Sequence, residues 1–142
     1  MTEGQVRERL AALAGVRVLI GSEEAGTPQV AWGDTFCFYD PKSTGDQKMP
    51  FATIVTNDYP GWDEVSRLSQ PGRFRVNLAV GRDYLPAIEE PIDYAAADVV
   101  LPHPTYAAQG WVSIVNPGPG TTGRLGELIE VAYARVAGRH RP

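Results

Sequence analysis

At 142 residues, with 43% hydrophobic and 21% charged positions, the chain has the size and composition of one globular domain that buries a core without metals or disulfides. A net charge of −4 argues against nucleic acid as the main partner, because counterion release needs clustered Lys and Arg. Cys37 is the single cysteine, which excludes an internal disulfide and a paired-cysteine metal site.

The first predicted element is a helix. Thr2 is placed as its N-cap, with Gln5 at capping-box spacing, and Val6, Leu10 and Leu13 recur at helical intervals before Gly15 stops it. This segment lacks the apolar run of a signal peptide. No stretch approaches the about 18 consecutive apolar residues that span a bilayer, so a cytoplasmic protein without a membrane segment is expected.

Val16 to Ile20 reads as a strand, and Gly21 to Pro28 as a loop. Gln29 to Asp40 is a second strand region, with Trp32, Asp34, Phe36 and Phe38 on one face and Ala31, Thr35, Cys37 and Tyr39 on the other. A polar loop follows to Pro50, then a strand from Phe51 to Thr56. Trp62, Val65 and Leu68 share a helical spacing that predicts a short helix closed by Pro71-Gly72. The alternation of Arg73 to Gly81 sets Phe74, Val76, Leu78 and Val80 inward, with Arg75 and Asn77 on the opposite face. A short helix is predicted near Tyr84 to Glu89, then an irregular segment from Pro91 through Pro102-His103-Pro104. Trp111 to Asn116 is the last strand, and Leu125, Leu128, Ile129, Ala132 and Val136 form the stripe of a final helix from Thr122 to Ala137. Strands joined by short turns, with helices at both ends, predict an α+β two-layer sandwich over residues 1–142: a mostly antiparallel sheet with helices on one face.

Several residues carry candidate chemistry. Gly118, Gly120 and Gly123 have the spacing of a dinucleotide fingerprint, but no strand follows the helix and Pro119 removes a backbone donor. A general anion site at that helix N-terminus is the weaker form that survives. Arg75 and Asn77, two apart on one strand face, either meet solvent or line a polar pocket with Asp34. Asp34, beside Trp32, is a candidate general base. His103, held between two prolines and near Tyr106, is a candidate acid or base titrating near neutrality. Gln109 and Trp111 open the last strand as a wall of core or ligand site. Cys37, between two phenylalanines, reads as an inert buried thiol. No second ligand stands at coordinating distance from His103, so neither metal nor cofactor is expected. The terminal Arg124, Arg135, Arg139 and Arg141 read as helix-end charges, with His140 frayed among them.

The segments Val30 to Asp40, Pro50 to Thr56 and His103 to Pro117 resemble DUF6194, a family of unknown function, over nearly the whole chain. More distantly, the Trp111-Val112 strand and the helix carrying Tyr133 resemble the MmcQ/YjbR-like proteins. That resemblance implies a CyaY-like or secretion-chaperone-like sandwich and brings no catalytic residues. Some of that group are described as DNA-binding, whereas this chain is acidic and lacks a basic strand face.

The leading expectation is a ligand- or partner-binding domain with a site at Trp32, Asp34, Arg75, Asn77, His103, Tyr106, Gln109 and Trp111. The alternatives are a small acid–base enzyme using His103 or Asp34 on a polar metabolite, and weak DNA binding through the terminal arginines. Oligomeric state and ligand identity are left open.

Overall fold

A computed structural model describes residues 1–47 and 49–139. Its centre is an open six-stranded sheet with strand order β1-β2-β3-β4-β6-β5. The strands are β1 (Val16–Ile20), β2 (Thr35–Tyr39), β3 (Ala52–Val55), β4 (Arg75–Ala79), β5 (Leu101–Pro102) and β6 (Trp111–Val115), each antiparallel to its neighbours. Two helices, α1 (Glu3–Ala11) and α2 (Thr122–Arg139), pack on one face of this sheet. The expected α+β architecture is the observed one.

Helix α1 forms where the capping box places it. The Thr2 hydroxyl accepts from the Gln5 amide while the Gln5 side chain accepts from the Thr2 amide. Val6 and Leu10 then reach the core, one helical turn apart. In α2, Leu125, Leu128, Ile129 and Ala132 are fully buried at the spacing of one helical face. They meet Cys37, Ala52, Ile54, Val76, Leu78, Val112 and Ile114, alternate residues of β2, β3, β4 and β6 that point to one side. Edge-on contacts of Tyr133 with Tyr39 and Phe51, and a hydrogen bond from its hydroxyl to the Ala14 carbonyl, tie α2 to the rest. Cys37 lies inside this layer, where burial pushes its thiol up to about 12. A water-soluble disulfide reagent is therefore expected to leave the folded protein unmodified and to titrate one thiol per chain after denaturation; reaction without denaturant would contradict this packing.

The sequence pattern misplaced four features. The second strand begins at Thr35; Gln29–Ala31 is a 3-10 turn, and Trp32 and Asp34 precede the strand. The chain from Trp62 to Leu68 is a run of turns held by a Tyr59–Asp63 bridge, in which Leu68 is the one apolar side chain buried and Ser66 is buried as well. The helix near Tyr84 to Glu89 shrinks to a 3-10 turn over Arg82–Tyr84. The segment read as irregular contains β5, a two-residue edge strand whose Pro102 suits an edge because it lacks a ladder donor.

The other face of the sheet is not open to solvent. The loops spanning 56–74 and 81–110 fold across it, so Arg75, Asn77 and Ser113 are buried there. Arg73 links the two loops by donating to the Ser66 and Ala95 carbonyls.

Candidate functional site

The strand register builds the floor of the site. Asn77 sits opposite Thr53 on β3 and Ser113 on β6, and Thr53 sits opposite Phe36 on β2. All four point away from the helices. The Asn77 amide nitrogen donates to the Thr53 hydroxyl at 3.0 Å, and its oxygen accepts from the Ser113 hydroxyl at 2.8 Å.

Two residues earlier, Arg75 is completely buried. Its Nε donates to the Asn77 oxygen at 2.9 Å, and Nη1 donates to the Ser66 hydroxyl at 2.8 Å. Asp63 completes the set with a two-point ion pair, 3.0 Å to Nη1 and 2.5 Å to Nη2. This fork satisfies the guanidinium's charge and geometry together, which a buried arginine requires. The Tyr59–Asp63 bridge holds the Asp63 backbone over the sheet, and Asp58 fixes the far side of the loop by accepting from the Leu68 and Ser69 amides.

His103 closes the floor from the β6 side. Its amide extends the β5–β6 pairing by donating to the Trp111 carbonyl. The chain then turns back through Pro104 and the 3-10 turn Ala107–Gln109. Gly110 allows that turn: its φ is 89°, and a Cβ there would lie 2.7 Å from the Gly81 Cα. Within the turn the Thr105 and Tyr106 amides both donate to His103 Nδ1 at 3.0 Å. The ring is buried against Tyr106 and Trp111, with centroids 5.0 and 6.4 Å away. Burial, reinforced by the Arg75 charge, lowers the imidazole pKa to about 3. His103 is thus neutral at physiological pH, which corrects the expectation of a group titrating near neutrality.

Between this floor and the loops lies a cavity of about 390 Å³. Arg75, Asn77, His103 and Asp63 form its polar base, and Phe36, Val55, Trp111 and Tyr106 form much of its wall. Met49, Pro50, Trp62 and Gln109 surround the mouth, where Trp62 is 67% exposed.

Of the residues singled out from sequence, Arg75, Asn77, His103, Tyr106, Gln109 and Trp111 come together here. Trp32 does not. It lies 38% exposed outside the cavity, its indole donating to the Thr27 carbonyl, because it precedes the strand whose alternation was to aim it. Asp34 is fully buried behind the wall, accepting from the Thr56 amide and hydroxyl and from the Tyr59 hydroxyl. Desolvation raises its pKa, but those three donors occupy it, and it reaches the cavity only through Tyr59. It has no open side for a substrate.

Sequence reasoning missed Asp63, Ser66 and Tyr59, which come from a loop and have no periodic signal. Phe36, Thr53 and Ser113 were findable, since strand parity puts them on the Arg75 face.

The anion site considered at the start of α2 is already filled. Asp98 accepts from the Gly118 and Gly120 amides and the Thr121 hydroxyl, which holds its carboxyl below the usual range. A Cβ at Gly120 would sit 2.9 Å from the Asp98 carboxylate, so glycine there serves this internal contact. Asp98→Ala is expected to lower Tm measurably at pH 7. Because the folded pKa is depressed, the difference from wild type should shrink as pH falls through and below about 4; a difference independent of pH would contradict the assignment.

Among the described residues no group of three His, Cys, Asp or Glu side chains is placed to hold a metal ion, and no helix is long and apolar enough to cross a membrane. Of the terminal arginines, Arg124 pairs with Glu127, while Arg141 and His140 lie outside the described residues.

The fold and site define a small α+β protein whose sheet carries its helices on one face and a loop-covered, partly polar cavity on the other. The chain belongs to DUF6194, a family of unknown function, whose profile matches residues 1–142. No curated protein and no solved structure matches it.

Proposed function

We propose that the protein binds a small organic molecule in the cavity between the sheet and its covering loops. The observation that carries this is the combination of a prearranged polar base with an aromatic wall in one concave space of about 390 Å³. Arg75, Asn77 and Asp63 at the base are locked by hydrogen bonds to one another and to Thr53 and Ser113, so little ordering is left for a ligand to impose. Acid–base catalysis has less support, because His103 is neutral with Nδ1 occupied and Asp34 is sealed behind Tyr59. The reading keeps the protein in the cytoplasm, which suits its single buried thiol.

Native mass spectrometry of the purified protein, followed by thermal-shift screening of small metabolites, tests this. Carried or added ligands are expected to lose about tenfold in affinity when Trp62 and Tyr106, both partly exposed at the cavity, are changed to alanine. Ligands indifferent to both changes would place binding elsewhere and end the proposal. The exposure of Trp62 and Met49 favours a second reading, a protein partner covering the mouth. Co-purification of a polypeptide with wild type, lost in Trp62→Ala, would favour it over a small ligand.

A further inference from the structure

Resting on that reading, we infer that the cavity takes a neutral, planar aromatic molecule that presents a carbonyl-type oxygen to the paired N–H groups of His103 and Arg75.

His103 has one tautomer that its surroundings permit. Two backbone N–H groups converge on Nδ1, and a nitrogen that accepts cannot carry a proton. The ring's proton therefore sits on Nε2. Among the described residues the hydrogen-bond contact of Nε2 is with Arg75 Nη2, at 3.5 Å, and that too is a donor. Their contact cannot be a hydrogen bond.

Counting the guanidinium's protons sharpens the point. Nε serves Asn77; Nη1 serves Asp63 and Ser66; one proton of Nη2 serves Asp63. Among the described residues the remaining Nη2 proton meets only His103 Nε2. Two N–H groups, one on a ring that is 5% exposed and one on a fully buried guanidinium, thus lack an acceptor among the described residues. Both side chains line the cavity. Buried donors of this kind are seldom left unpaired, because each loses its bond to water without replacement. One oxygen with two lone pairs, placed between them, answers both.

Charge decides what kind of oxygen. Asp63 already neutralises Arg75 at two points, and the imidazole is held uncharged by burial. The base of the cavity therefore carries no net charge. A carboxylate would bring an uncompensated negative charge into a buried place, whereas a ketone, lactone or amide oxygen brings only a dipole. The walls decide the rest of the molecule. Phe36, Trp62, Tyr106 and Trp111 offer ring surfaces, which suit a flat apolar body.

The test uses three probes that share one aromatic body: 2-acetylnaphthalene, 2-isopropylnaphthalene and 2-naphthoate, titrated into the full chain and followed by amide NMR shifts. The ketone is expected to bind about tenfold more tightly than the isopropyl compound, as one imidazole and one ion-paired guanidinium hydrogen bond allow, and more tightly than the carboxylate. In His103→Phe, which keeps an aromatic ring, ketone affinity should fall towards that of the isopropyl probe, whose own affinity stays put. Nitrogen-15 spectra of the wild-type imidazole give an independent readout that needs no variant to fold. They should show the Nε2–H tautomer and a shift of that proton when the ketone is added. Equal affinities for ketone and isopropyl probes would mean that an ordered water alone serves the donors, overturning the inference while leaving a ligand cavity. Tightest binding of the naphthoate would overturn the neutral class. An Nδ1–H tautomer would remove the argument at its root. Binding of none of the three would count against the ligand cavity itself.

Discussion

Asp63→Ala is expected to lower the free energy of unfolding by about 3–5 kcal/mol, the usual cost of stranding one partner of a buried ion pair. Arg75 is fully buried and the Asp63 side chain is 10% exposed, so water cannot take over the carboxylate's role without opening the loop. The substitution removes two of the guanidinium's charge-assisted hydrogen bonds and leaves its charge in a low-dielectric setting. It also loosens the covering loop, because Asp63 and Ser66 are the side chains by which that loop is hydrogen-bonded to Arg75 on the sheet. Equilibrium denaturation by urea measures the effect. Adding Arg75→Met to Asp63→Ala should restore part of the loss, since the stranded charge is then gone, although Asn77 and Ser66 lose a partner. A cost below about 1 kcal/mol for Asp63→Ala would show the pair to be solvated and the loop to be mobile over the cavity.

The second large effect is acid sensitivity through His103. Its folded pKa is about 3, against an ordinary value of 6.5. Below pH 6.5 the unfolded chain binds a proton that the native chain refuses, so stability falls as pH falls. The loss is expected to be about 1.6 kcal/mol between pH 6.5 and 5, and roughly 4 kcal/mol by pH 3, at 1.36 kcal/mol per pKa unit of difference. Above pH 6.5 the slope dies away within about one unit, as the unfolded imidazole loses its proton. Asp34 works in the opposite sense: its raised pKa favours the native state at low pH, and that benefit is lost as pH rises through it. Comparing wild type with His103→Gln cancels Asp34 and the other carboxylates, since both proteins share them. The variant's stability should fall less steeply than that of wild type between pH 6.5 and 5, by the His103 contribution alone. Identical slopes in the two proteins would mean that His103 protonates freely and is not sealed against Arg75.

These two residues show what could and could not be read in advance. Arg75 was visible as a polar residue in an apolar strand, and alternation put it on the face away from the helices. Whether that face met solvent was not visible, because the loops that cover it have no period. The same lack of period misled the reading of Trp62, Val65 and Leu68. Their spacing suits a helix, yet only Leu68 is buried, while Trp62 sits at the cavity and Val65 faces solvent. Apolar spacing reports a helix only when there is one face to bury.

His103 carries the contrast further. The flanking prolines marked it as constrained, and its proximity to Tyr106 was correctly noted. Its charge state, however, depends on two amides folding back onto Nδ1 and on a guanidinium brought in from 28 residues earlier. Considered as an isolated side chain, it titrates near neutrality; in place, it does not.

The sequence by itself determined both helices, the α1 N-cap, the α2 stripe, the parity of the strands, the inert thiol and the α+β class, although α1 ends at Ala11, before the Leu13 that its pattern included. Each is a local matter, fixed by periodicity, turn chemistry and the preference of apolar groups for burial. Only the tertiary structure decided that the second sheet face is covered, that Asp63 neutralises Arg75, that Asp98 fills the α2 terminus, and that Trp32 stands apart from the cavity. Those outcomes rest on contacts between residues distant in the chain, and a charge or a proton takes its state from the neighbours that folding supplies.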